Sequence, residues 1–251
     1  MRATPASLAP GYVLHRRPYG ETSLLAELFT RESGRLGVIA KGAQGRGGRG
    51  RGGGLQPFQP LLVSWRGRGE LPVLADWEAA GPPLPLQGDA LLGGFYLNEL
   101  LLRLCRRHDP HPELFLSYAR ALGELGEARP LVLALRSFEK ALLDSLGLGP
   151  MLTEDRSGAP IRPGQWYRCS PQGGPQPIVG PGRGPWEVPG TALLALAGEP
   201  LVIPPELQAA VNGLFRVLIA DQLGGAPLRT RALWLALRRP APADLPREPE
   251  V

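Results

Sequence analysis

Apolar residues in the first third of the chain come in short runs broken by turn-forming residues. GYVLHRRPY (11–19), SLLAELFT (23–30), GRLGVIAKG (34–42), PFQPLLVSWRG (57–67) and LPVLADWEA (71–79) are each compatible with a β-strand. PYGET, RESG, a Gly/Arg stretch and RGRGE separate them. Several runs alternate as a half-buried strand does, with Leu36, Val38 and Ala40 set against Gly37 and Ile39. Five such strands within about 70 residues fit a small closed or nearly closed barrel of the OB type, a fold whose surface often takes single-stranded nucleic acid.

The pattern changes after GPPLPLQ (81–87), a linker that proline bars from helix. From 89 to 107 the residues Leu91, Leu92, Phe95, Tyr96, Leu100 and Leu104 recur at helical spacing. Segments 112–125 and 130–146 do the same, the latter stopped by GLGP. Each has one apolar face to bury, so the three are expected to form a bundle. Residues 150–190 are rich in Gly and Pro, with short strands expected near 166–169 and 178–179. Helices are expected again at 191–197, 205–223 and 228–237. The expectation is an α+β multidomain chain: an OB barrel over 1–80, a helical bundle over 81–150, a small irregular module with helices over 151–238 and a disordered tail over 239–251.

Charge sharpens this division. Residues 1–70 hold 11 Lys+Arg against 4 Asp+Glu, whereas the other 181 hold 17 against 19. All the excess positive charge therefore sits on the expected barrel, which points to a polyanionic partner. Its densest part is KGAQGRGGRGRGGG (41–54), with Arg46, Arg49 and Arg51 and no acid. Glycine frees the backbone there, and guanidinium fits phosphate. Such a loop can be an inert solvated connection or a finger that follows a phosphate backbone without reading bases.

Motifs for catalysis are missing. The sequence holds no GxxxxGK[ST], no GxGxxG that opens a helix after a strand, and no GxSxG. His108 and His111 lie in a turn around Pro110 without a Cys or carboxylate cluster, so neither catalysis nor metal binding is expected of them. Cys105 and Cys169 are far apart and form no CxxC. No stretch reaches the ~20 apolar residues of a membrane span, so a cytoplasmic protein is expected.

GYVLHRRPYGETSLLAELFTRESGRLGVIAKGA, LQPFQPLLVSWRGRGEL, GGFYLNELLLRL and ALRSFEKALLDSLGLGP, in that order, resemble the RecO family of bacterial recombination mediators; LGGAPLRTRALW resembles it near the end. The resemblance implies a non-enzymatic protein that binds single- and double-stranded DNA and anneals complementary strands. It also implies engagement of RecR and of the acidic, Phe-ending tail of single-stranded-DNA-binding protein, indirect action on RecA, and association with the nucleoid. Many members carry a four-cysteine zinc site in the 150–190 region. Only Cys169 falls there, so neither zinc nor another cofactor is expected.

The candidate DNA contacts are Arg16, Arg17, Arg35, Lys41, Arg46, Arg49, Arg51, Arg66 and Arg68. Arg16 and Arg17 are adjacent on a strand and face opposite sides, so at most one should join any patch. Arg35 sits at a turn, Lys41 leads into the Gly/Arg loop, and Arg66 and Arg68 share a hairpin; for each, a solvated charge is the competing role. Trp65 and Trp77 are either base-stacking or core residues. The resemblance puts the tail-peptide contact at Arg136, the alternative being an internal pair with Glu139 or Glu99. Two other functions fit the same residues: an RNA-binding OB protein and an interaction scaffold with an incidental basic loop.

Overall fold

Each of the five β-compatible runs forms a strand in the computed structural model, which describes residues 8–44, 54–67, 69, 71–127, 129–171 and 173–238. The strands are β1 (Ala9–Tyr19), β2 (Ser23–Thr30), β3 (Gly34–Ala40), β4 (Leu61–Arg66) and β5 (Val73–Ala79). They close into a barrel in the order β1-β2-β3-β5-β4. Alternation puts Leu24, Ala26, Leu28, Leu36, Val38 and Ala40 inside, packed with Val13, Leu61, Val63, Leu74 and Trp77. Trp65 is half-buried against the same core. β3 and β5 meet in parallel at Ile39 and Val73, where the Ile39 amide donates to the Pro72 carbonyl at 2.9 Å.

Helices α1 (Gly88–Leu104), α2 (Pro112–Gly126) and α3 (Leu131–Ser145) follow. Next come β6 (Trp166–Arg168), β7 (Gln176–Ile178) and β8 (Glu187–Pro189) in a three-stranded sheet of order β7-β6-β8. Helix α4 (Gly190–Ala197) leads through a 3-10 turn to α5 (Gln208–Gln222), and α6 (Arg229–Leu237) ends the described chain. A single apolar cluster joins the outer face of the barrel, α1–α3, Tyr167, Val188 and helices α4 and α5. The proline linker is part of this packing. Leu86 is buried, and Gly94 on α1 allows the approach, since a Cβ there would lie 2.8 Å from Leu86 and 2.9 Å from Phe58.

The barrel joins the helices through an irregularity in β1. Its pairing with β2 runs through Val13 opposite Leu28 and resumes at His15 opposite Glu27, so Leu14 is skipped. The Leu14 carbonyl instead accepts from Asn98 Nδ2 at 2.9 Å, and the Tyr118 hydroxyl donates to Asn98 Oδ1 at 2.6 Å. Both helical residues are buried. Around them the rings of Tyr12 and Phe29 from the barrel pack on Phe115 and Tyr118 of α2, with centroids 5.2–6.0 Å apart. Burial pushes the Tyr118 hydroxyl well above its ordinary pKa, so it stays a donor.

Periodicity extends the first helix to 107, but α1 stops at Leu104, and the next residues turn onto the barrel. The His108 amide donates to the Arg35 carbonyl at 2.9 Å. Gly34, at φ +64°, lies so close to the Asp109 backbone that a Cβ would overlap it.

Asn98→Ala should leave a buried carbonyl and hydroxyl without partners and cost about 2–3 kcal/mol, and Tyr118→Phe about 1 kcal/mol. In urea denaturation the double variant should lose less than the sum of the two, because both remove one bond. Simple additivity would show that Asn98 and Tyr118 act separately.

Candidate nucleic-acid interface

The barrel sorts its cations by strand end and by face. Arg17 and Arg66 are exposed near the ends of β1 and β4, and Lys41 is exposed just beyond β3. Arg16 pairs with Ala26 of the barrel core, so it projects to the other face from Arg17, and its guanidinium donates to Gln56 Oε1 at 2.9 Å. The Gly/Arg loop leaves the barrel beside the β1–β2 hairpin, where the Gln44 amide donates to the Thr22 carbonyl at 2.8 Å. Arg16, Arg17, Pro18, Leu24, Ala43 and Gln44 line a notch of about 390 Å³ there. Arg46, Arg49, Arg51 and Arg68 lie outside the described residues.

Arg35 is elsewhere. It occupies the opposite end of β3 from Lys41, about 20 Å away at ~3.3 Å per residue. Its Nη1 donates to the Leu102 carbonyl at the end of α1, and its Nε lies 3.6 Å from Glu27. Arg107 pairs with the same carboxylate. Arg35 is thus committed to the joint between barrel and helices, because the turn after Leu104 brings a free helix-end carbonyl against it.

Arg136 lies on α3 with its Nη1 2.5 Å from Glu139 Oε2 and its guanidinium 5.3 Å from the centroid of Phe215 on α5. Glu139 is wholly buried and also accepts from the Tyr96 hydroxyl. Burial pushes its carboxyl above the ordinary value, against the pull of Arg136 and the Tyr96 bond. Of the two internal partners considered, Arg136 faces Glu139 and not Glu99. A groove of about 680 Å³ opens nearby between α2, α3 and residues 198–201. Ala121, Leu133 and Ala134 give it an apolar floor, and Arg120, Arg129 and Lys140 stand along it. Lys140 pairs with Asp144 at 3.1 Å and Arg129 with Glu127 at 3.4 Å, while exposed Arg120 has no partner among the described residues. Sequence reasoning passed over Arg120. The available signal was an arginine on the polar side of α2, about half a turn from Tyr118 and Leu122 of the buried stripe.

Comparison with known proteins agrees with this architecture. The family model described as Recombination protein O N terminal matches residues 6–83, and Recombination protein O C terminal matches 85–232. The chain belongs to the RecO family. It is 46% identical over 245 residues to the DNA repair protein RecO of Alkalilimnicola ehrlichii, covering 96% of this chain and 95% of that one. Identity to the namesake of Pseudomonas paraeruginosa is 44% over 241 residues, covering 96% and 100%. For Methylococcus capsulatus it is 49% over 224 residues, covering 89% and 90%. A general role in DNA repair follows from these matches.

In the 150–190 region of this RecO-family chain, hydrogen bonds and packing hold the fold. One Asp155 oxygen accepts from the Ser157 hydroxyl and amide at 2.6 and 2.8 Å and from the Ala159 amide at 3.1 Å. Glu187 gathers the Arg168 guanidinium and the Arg183 and Gly184 amides. Tyr167, Cys169 and Val188 are buried. Among the described residues, no group of three or more His, Cys, Asp or Glu stands at metal-binding spacing. Burial pushes the Cys105 thiol up to about 11 and the Cys169 thiol up to about 12, so neither is a reactive thiolate at neutral pH.

Arg136→Ala should destabilise the protein by about 3–5 kcal/mol at pH 7, since it strands a buried carboxylate. Glu139 titrates higher in the folded than in the unfolded chain. Its contribution is thus full below the ordinary carboxylate value and is lost as pH rises through the raised one. Urea midpoints should therefore show the Arg136→Ala deficit shrinking toward acid pH, and Glu139→Gln added to it should restore most of the loss at pH 7. An Arg136→Ala protein as stable as wild type would show that the pair has no structural role.

Proposed function

We propose that this chain is a recombination mediator in DNA repair, which binds single- and double-stranded DNA through its barrel and anneals complementary strands. The observation that carries this reading is the grouping of exposed cations at one end of the barrel. Arg17, Lys41 and Arg66 are exposed on the barrel and have no partner among the described residues, and the Gly/Arg loop springs from the same barrel. Sequence-blind phosphate contact suits annealing, because it draws two strands onto one positive surface without holding particular bases. The family relation brings RecR, single-stranded-DNA-binding protein and, indirectly, RecA into this proposal, together with a cytoplasmic, nucleoid-associated setting. No helix among the described residues is long and apolar enough to cross a membrane.

The protein acts without catalysis, metal or nucleotide in this proposal. Ser145, His111 and Asp109 do fall in line, with Ser145 Oγ 2.8 Å from His111 Nδ1 and His111 Nε2 3.5 Å from Asp109 Oδ2. Ser145, however, closes the C-terminal end of α3, where helix carbonyls disfavour the anion that a serine nucleophile would create.

The acidic tail peptide belongs in the α2–α3 groove rather than on Arg136. Arg120 offers a free guanidinium over an apolar floor, which suits a carboxylate beside a phenyl ring.

With complementary oligonucleotides, the purified protein should speed annealing, and log affinity should fall with log salt at roughly 0.7–0.9 per phosphate contacted. Salt-independent binding, or preference for RNA over single-stranded DNA in competition, would overturn the mediator reading. Arg120→Ala should weaken binding of a labelled tail peptide about tenfold or more, the loss of one charge-assisted contact, and leave annealing of bare strands intact. Unchanged peptide affinity would place the peptide elsewhere.

A further inference from the structure

The strand registers align five residues that the sequence leaves scattered. Arg17 of β1 pairs with Leu25 of β2, and Leu25 pairs with Ile39 of β3. Ile39 pairs with Val73 of β5, and Val73 with Arg66 of β4. Directly paired residues point to the same side of a sheet. Leu24, Ala40 and Leu74 next to them fill the barrel core, so this row faces outward. It is a strip of three half-buried aliphatic side chains with an exposed guanidinium at each end. Four strand spacings of ~4.8 Å give the strip an arc of about 19 Å across the strands.

The strip is bounded on both sides. The next outward row toward the helices is His15, Glu27 and Gly37. There the Arg107 guanidinium lies over Gly37 and closes on Glu27, so a side chain from the turn after α1 occupies this row. One row further, Phe29 is sealed under Phe115 and Tyr118. The helices thus cover half of the outward β2–β3 face, the face on which OB folds commonly take oligonucleotides. On the other side of the strip stand Tyr19, Ser23 and Lys41, where the Gly/Arg loop begins.

We infer that a single DNA strand lies along this row, crossing β1-β2-β3-β5-β4 from Arg17 to Arg66, with its phosphates on the two guanidiniums and its sugars on Leu25, Ile39 and Val73. The inference rests on the DNA-binding reading and adds its path. Charge complementarity selects the occupant, because both ends of the apolar strip carry an exposed arginine with no partner among the described residues and the adjoining rim carries Lys41. The length matches the short end of the ~4–16 nucleotides that one OB fold takes. The row itself holds no aromatic ring to stack bases, so the bases face solvent. A strand held by its backbone with its bases outward is ready to pair with a complement.

The experiment uses the full chain and labelled oligothymidylates. Arg17→Ala with Arg66→Ala should lower affinity at least tenfold and reduce the salt slope by about 1.4, two phosphates at ~0.7 each. Ile39→Glu should also lower affinity at least tenfold, although it touches no arginine, and Ile39→Thr should do so more weakly. Leu235→Glu on exposed α6 makes the same charge change away from the row and should bind as wild type. Urea midpoints report whether each variant is folded, and Ile39→Thr serves if Ile39→Glu is not. Bound thymines should stay reactive to permanganate. Wild-type binding with unchanged affinity in the Arg17/Arg66 and Ile39 variants, or protected thymines, would overturn this path and leave DNA binding standing. Failure of the wild type to bind would overturn both.

Discussion

The structure depends on the way the barrel lends one outer face to the helices. An isolated barrel of this kind would expose Tyr12, Leu14, Phe29 and Phe58, which all belong instead to the helical core. The bulge at Leu14 gives that contact its polar anchor, because a carbonyl freed from the β1–β2 ladder must find a donor when it is buried. Asn98 supplies the donor, and Tyr118 fixes which way the amide points. Apolar area drives the docking, while this relay and the tight seat of Gly34 on Asp109 allow a single register.

Much of the chemistry then follows from where α1 lies. Its carboxylates hold the last helix on the surface. Glu99 accepts the Arg229 and Thr230 amides at the start of α6, and Asp89 accepts from Trp234 and Arg238 near its end. Partial burial pushes the Glu99 carboxyl up, but the Thr230 and Arg229 bonds outweigh it and the net shift is downward. None of the α6 residues is buried, so polar anchors do for this helix what apolar packing does for α2 and α3.

This division explains why a count of arginines says little about binding. Arg35, Arg103, Arg107, Arg136, Arg168 and Arg238 are tied to carboxylates or helix-end carbonyls and hold elements together. Arg17, Arg66 and Lys41 on the barrel, and Arg120 at the helical groove, are exposed and have no partner among the described residues. The first group fixes the barrel and the helices relative to each other, and the second stays on the surface.

Local order in the sequence was enough for the elements. Alternation over Leu36–Ala40 and the helical repeat from Leu91 to Leu104 are backbone periodicities, so the five barrel strands and the helices fall where those patterns place them. The same alternation separated Arg16 from Arg17. Three things depended on distant parts of the chain. α1 ends at Leu104 because residues 105–109 have the barrel to pack on, which no helical propensity reveals. Arg35 reads as a surface cation until the fold sets Glu27 and the Leu102 carbonyl beside it, and Arg136 keeps two readings until α5 brings Phe215 over its pair with Glu139. The row from Arg17 to Arg66 exists only through barrel closure, since strand register, rather than sequence distance, decides which side chains become neighbours.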